Sequence, residues 1–110
     1  MVLVTATVQA RADSIDELRR LCLEHVARSR AERGCLEHGV SVDANDGLRL
    51  VFVERWSDRE ALAAHVALPA SRAFGKALAR LVAQPPALHA YDAEETPFPG
   101  VPSGAGAPRV

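Results

Sequence analysis

Residues Val2 to Ala10 alternate strictly, with Val2, Val4, Ala6, Val8 and Ala10 on one side and Leu3, Thr5, Thr7 and Gln9 on the other. A period of two, rich in β-branched side chains, predicts a strand with one buried face. Asp13 and Ser14 interrupt it. Apolar positions then return at helical spacing as Ile15, Leu18, Leu21, Cys22 and Val26, while Arg19, Arg20, Glu24 and Arg28 fall mostly on the wet side. Ser14 and Glu17 have the spacing of a capping box, in which each side chain bonds the other's backbone amide. Gly34 suits the left-handed position after a helix, so the first helix is expected to stop there.

Alternation resumes from Cys35 to Asp43, with Leu36, His38, Val40 and Val42 on one face and Cys35, Glu37, Gly39 and Ser41 on the other. Ala44-Asn45-Asp46-Gly47 is hairpin-turn chemistry, because Asn, Asp and Gly tolerate positive φ. The third strand, Leu48 to Trp56, presents Leu48, Leu50, Phe52, Glu54 and Trp56 on one face and Arg49, Val51, Val53 and Arg55 on the other. Ser57 and Glu60 repeat the capping box and open a helix through about Val66, which Pro69 breaks. A further helical piece, about Ala70 to Val82, carries Phe74, Ala77, Leu78 and Leu81 on one side. After Pro85-Pro86, Ala87 to Ala93 reads as a last strand, with Leu88 and Ala90 opposite His89 and Tyr91.

The order is β-α-β-β-α-β. It predicts an α+β, ferredoxin-like split arrangement: a four-stranded antiparallel sheet with helices on one face. Residues 1–95 are expected to form one domain, and 96–110, rich in Pro, Gly and Ala, a tail. Nothing in the chain is left to cover the sheet's second face, where Leu3, Val51 and Val53 fall. An apolar face of that size points to a partner, most simply a second copy related by two-fold symmetry, with His89 and Tyr91 on that side.

Composition narrows the function classes. The 110 residues are 48% hydrophobic and 25% charged, which fits one globular core. A net charge of −1 gives no overall field for nucleic acid or an acidic membrane. The open sheet face offers Val51 and Val53 where an RNA-binding sheet needs aromatics, so nucleic acid is excluded as a partner. No apolar run approaches the roughly 20 residues that span a bilayer, so no membrane partner is expected. Cys22 and Cys35 are too few for a disulfide framework and read as free thiols, consistent with a cytoplasmic protein.

Candidate chemistry lies between residues 48 and 65. Glu54 and Trp56 end the inner face of the third strand, and His65 lies on the apolar side of the following helix with Ala61 and Leu62. An acid, an indole and an imidazole aimed at one interior suggest a small-molecule pocket. His38, on a neighbouring apolar face, points the same way. A buried histidine is as readily a hydrogen-bonded core residue, and a buried Glu54 needs a partner, for which an Arg or a backbone cap is the simplest expectation. His38, Glu54 and His65 are also a two-histidine, one-carboxylate set of the kind that holds iron or zinc, although nothing in the spacing demands it. Cys22 and His25 are a weaker pair, with no second pair to complete it.

Three segments, Ala31-Glu32-Arg33-Gly34-Cys35-Leu36, Phe52-Val53-Glu54-Arg55-Trp56-Ser57-Asp58 and Glu60-Ala61-Leu62-Ala63-Ala64-His65, resemble the antibiotic biosynthesis monooxygenase (ABM) domain family in order and spacing. The resemblance runs from about Val2 to Ala93. It implies a dimeric α/β-barrel assembly of ferredoxin-like subunits, each with a pocket between sheet and helices. It further implies a cofactor-independent monooxygenase, without flavin, haem or metal, acting on an electron-rich phenol, anthrone or quinol with dioxygen. His38 departs from the commonest family pattern, in which a Tyr often follows the Gly-Cys-Leu-x run. The place where haem-degrading relatives carry an axial His falls near Phe74, Gly75 and Lys76, which disfavours haem.

Such chemistry needs a base, an apolar box that excludes water and donors for a developing oxyanion. Imidazole is the natural base. His65 and His38 are the expected catalytic residues, and Trp56, Glu54, Phe52, Phe74 and Leu78 the expected substrate wall. The alternative is a non-catalytic small-molecule-binding or stress-associated dimer of the same fold.

Overall fold

The structure, a computed structural model, describes residues 1–102. The elements are β1 (Val2–Gln9), α1 (Ile15–Arg30), β2 (Cys35–Asp43), β3 (Asp46–Trp56), α2 (Arg59–Ala67), α3 (Pro69–Leu81) and β4 (Ala87–Asp92). They form one four-stranded sheet in the order β2-β3-β1-β4, with every neighbouring pair antiparallel. This is the ferredoxin-like α+β arrangement expected from the sequence, with the second helical region divided in two. No described helix is long and apolar enough to cross a membrane.

The alternating pattern of β1 becomes its burial. Val2, Val4, Ala6 and Val8 are buried beneath the helices, with Leu50, Phe52 and Trp56 of β3 on the same face. Leu18, Cys22 and Val26 of α1 and Leu78 of α3 close the larger core, and Trp56 with Val2 and Val4 forms a second cluster. Pairing fixes this register, because a one-residue slip would turn every apolar side chain outward. β4 pairs with β1 so that Leu88 and Ala90 share the inner face with Ala6 and Val4, yet all six of its residues are exposed. His89 and Tyr91 fall opposite Thr5 and Leu3, on the open face as expected.

Several local expectations are corrected. Ser14 precedes α1 but makes no capping bond to it. Its hydroxyl donates to the Leu81 carbonyl at 2.6 Å and accepts from the Arg11 amide at 3.0 Å. A tertiary partner at the end of α3 has won over the local one. The cap of α2 is Asp58 rather than Ser57, and its carboxylate accepts from the Ala61 amide at 2.8 Å. α1 ends at Arg30, four residues before Gly34, which instead takes a positive φ of 85° in the connection to β2. Pro69 separates α2 from α3 by opening α3, where its missing amide costs nothing.

β2 carries the largest revision. Cys35 pairs with Trp56 and Glu37 with Arg55, so an extra residue, Leu36, is accommodated by a bulge. The bulge shifts the alternation by one. Cys35 joins the inner face with Trp56, while Leu36 is exposed. His38 then pairs with Glu54 and is buried. Beyond β4, residues 96–102 lie outside helix and strand with Phe98 and Val101 exposed. The rest of the expected tail lies outside the described residues.

Candidate functional site: a histidine cluster at the wall of an apolar cavity

Three histidines from three elements meet under the helices. His25 comes from α1, His38 from β2 and His65 from α2, and all three are buried. The ring centroids of His25 and His38 lie 5.4 Å apart, those of His25 and His65 5.1 Å, and those of His38 and His65 5.6 Å. His25 also stacks on Phe74 of α3 at 4.0 Å with nearly parallel planes. Helical spacing explains its position, since residues 18, 22, 25, 26 and 29 are the buried stripe of α1.

Two carboxylates serve this cluster. Glu32, in the α1–β2 connection, places Oε1 2.8 Å from Nδ1 of His65. Glu54 accepts from the indole N–H of Trp56 at 2.9 Å, and the same oxygen lies 3.3 Å from Nε2 of His38. That second approach is within reach of charge attraction but is not aligned as a hydrogen bond, so neither His38 ring nitrogen has a hydrogen-bond partner. The buried carboxylate of Glu54 is thus held by an indole and an imidazole, not by the Arg or backbone cap expected.

Burial pushes the Glu54 carboxyl up, but contact with His38 and Trp56 and the charges of His38 and His65 outweigh it, leaving it below the usual carboxylate range. Burial, followed by the neighbouring His65, His38 and Arg28, takes His25 down to about 4. At neutral pH His25 is therefore an uncharged imidazole with a free lone pair.

Beside the cluster is a partly open cavity of about 420 Å³, with Leu88, His89 and Ala90 of β4 in its lining. Phe52, Leu62, Phe74 and Leu78 are among its apolar walls, and His25, His65 and Glu54 are among its polar ones. Its size and its mostly apolar lining with few convergent polar groups are those of a small-molecule site. Of the seven residues expected at the site, His65, Glu54, Phe52, Phe74 and Leu78 line this cavity. His38 and Trp56 do not. Trp56 is fully buried behind His65, with ring centroids 4.6 Å apart.

Glu32 is the residue that the sequence reading missed, and His25 entered it only as a weak pair with Cys22, not as a partner of His38 and His65. The periodicity of α1 held the signal for His25, because it falls on the buried stripe three residues after Cys22. Glu32 had no comparable signal, since its partner lies 33 positions away.

A small open α+β sheet with such a cavity beneath its helices defines a small-molecule-binding class. The family model described as antibiotic biosynthesis monooxygenase matches residues 1–77, and the chain belongs to that family. The crystal structure of a candidate antibiotic biosynthesis monooxygenase from Deinococcus radiodurans is 31% identical, with a TM-score of 0.85 over 89% of this chain and 97% of that one. Rv0793 from Mycobacterium tuberculosis is 28% identical, with a TM-score of 0.81 over 86% of this chain and 96% of that one. Among curated proteins, uncharacterized protein sll1783 of Synechocystis is 26% identical over 95 residues, 86% of this chain. The chain spans 65% of the length of that relative.

Proposed function

We propose that residues 1–95 form a monooxygenase unit that oxidises an electron-rich phenol, anthrone or quinol with dioxygen, using the electrons of the substrate itself. The observation that carries this reading is the Glu32–His65 pair, 2.8 Å apart, at the wall of an apolar cavity. Glu32 fixes one ring nitrogen of His65 and stabilises the imidazolium that forms when the other takes a proton. The substrate lies between Phe52, Phe74 and Leu78, and His65 removes its acidic proton. The resulting carbanion adds dioxygen. The peroxide then collapses with loss of water, so that the CH₂ of an anthrone, or a ring C–H carbon of a phenol or quinol, becomes C=O and the second oxygen atom leaves as water. Phe52, Phe74 and Leu78 favour this sequence by shielding part of the anion from bulk water. Glu54 faces the cavity as an acceptor for a substrate hydroxyl, while His38 and Trp56 hold Glu54 from behind.

The unfilled cavity supports this reading over a non-catalytic binding protein, because Phe74 forms its wall without plugging it and Trp56 stands clear of it. We also propose a homodimer through the open sheet face, where Val53 is 41% exposed and Leu3, Val51 and Tyr91 lie nearby.

An oxygen electrode with anthrones and quinols tests the reaction. General-base catalysis contributes about 10²–10⁴-fold, so His65→Ala should lose at least about 100-fold in oxygen consumption with its circular dichroism unchanged. Unchanged turnover in that variant removes His65 from the mechanism.

A further inference from the structure

Both ring nitrogens of His38 are buried without a hydrogen-bond partner, and the residue as a whole is only 1% exposed. Leaving such a group unsatisfied forfeits the hydrogen bonds it makes to water in the unfolded chain, so its place in the fold needs a reason. One ring nitrogen each from His25, His38 and His65 lies within 4.8 Å of the other two, the one group of this kind among the described residues. We propose that these three histidines bind a single divalent transition-metal ion, with zinc the reference ion.

The geometry suits such an ion. Ligand atoms on a tetrahedral zinc sit about 2.1 Å from the metal, hence roughly 3.4 Å from each other. The three nitrogens reach that spacing by closing inward by about 1 Å or less, within reach of small side-chain rotations. The rings come from α1, β2 and α2, so the framework that sets their spacing is the packed core and not one flexible loop.

The surroundings are those of a metal site also. Metal-bound histidines usually have their second nitrogen oriented by a carboxylate. Glu32 does this for His65 at 2.8 Å, and Glu54 stands 3.3 Å from His38. The two carboxylates together offset a double positive charge that could not otherwise be buried there. His25 and His65 also line the cavity, so a fourth coordination position would face the space where small molecules enter. Three imidazoles select zinc, copper or nickel, whereas magnesium and calcium require oxygen donors. The carboxylate of the two-histidine set considered from sequence is replaced by a third imidazole, with Glu54 standing 3.3 Å from His38 as a neighbouring charge and not as a ligand.

This inference stands apart from the oxygenase reading, since binding is measured without turnover. The two meet at His65. A bound ion takes the nitrogen that would accept the substrate proton, so loading should suppress oxygen consumption if both hold.

The test uses the full chain stripped with a chelator. Titration calorimetry with zinc chloride, together with elemental analysis after gel filtration, should give one ion per chain with micromolar or tighter affinity. Magnesium chloride should give no binding. His25→Phe, which keeps the stack on Phe74, and His65→Asn should each weaken zinc at least about 100-fold. Glu94→Gln, at an exposed carboxylate outside both the cluster and the cavity, should not change it. X-ray absorption of the wild-type zinc form is the second measurement, needed if either variant fails to fold, and should count three imidazole ligands. Absence of binding at 100-micromolar-order zinc overturns the proposal. So does full affinity in folded His25→Phe, equal loss in Glu94→Gln, or a zinc form with fewer than three imidazoles.

Discussion

Gly34 is where the fold and the site are most tightly joined, and replacing it with Ala has a calculable cost. Its φ of +85° lies in the left-handed region, which costs a residue with a Cβ about 1–2 kcal/mol. An added Cβ would also sit 2.5 Å from Cβ of Ala61 and 2.8 Å from Oγ of Ser57. Ala61 is in the first turn of α2, and its Cβ is fixed to the helix backbone with no rotation that could clear the overlap. Relief requires α2 to move by the better part of an ångström, and overpacking of that kind costs about 1–3 kcal/mol. The carbonyl of Gly34 accepts the Ser57 amide at 2.8 Å, so the backbone there resists moving away. The sum is about 3 kcal/mol, or a fall of about 12 °C in Tm for a domain of this size.

Thermal and urea melts of Gly34→Ala against the parent measure this cost. Gly39→Ala, where an added Cβ meets nothing within 4 Å, is the control and should change little. Pairing Gly34→Ala with Ala61→Gly separates overlap from backbone strain. Removing the facing methyl should restore the overlap portion, giving a coupling of about 1–3 kcal/mol in the double-mutant cycle. A cost below about 0.5 kcal/mol for Gly34→Ala, or a coupling of zero, refutes the contact as described. The same displacement of α2 moves His65 relative to Glu32, so oxygen consumption should fall even well below the melting range.

Two further outcomes follow from burial and exposure. The Cys22 thiol is fully buried, and burial pushes it up to about 12 from 9.0. Between those values the unfolded chain loses the proton and the native one keeps it, so this residue makes stability fall as pH rises above 9, by about 2 kcal/mol at pH 10.5. Cys22→Ala should start from a lower stability but lose this part of the alkaline slope, and an identical slope in urea melts would contradict the assignment. Multi-angle light scattering at micromolar concentration should give twice the chain mass of 11.8 kDa, and Val53→Glu should shift it toward the monomer; a clean monomer in the parent removes the sheet-to-sheet dimer.

The elements of this chain were legible because their signals are local. Strict alternation in Val2 to Ala10 and the helical stripe from Ile15 to Val26 each describe one element facing one core, and periodicity is the direct imprint of that burial. Local chemistry failed where a distant group competed for the same atom. Ser14 had the spacing of a cap, but the Leu81 carbonyl, brought close by α3, takes its hydroxyl. Leu36 had the right parity for the inner face, but pairing with β3 placed a bulge there and turned it out.

By itself the sequence determined the order β-α-β-β-α-β, the face that β1 and β3 bury, and His65 and Glu54 as inward-facing polar groups. These follow from the repeat lengths of helix and strand, which are properties of a single segment. Only the tertiary structure decided that His25 joins His38 and His65, that Glu32 holds His65, and that Trp56 stands behind the cavity and not in it. The physical reason is separation along the chain. Residues 25, 38 and 65 share no local geometry, and their nitrogens meet only because the packing of α1 and α2 on the sheet and the bulge in β2 fix where each ring points.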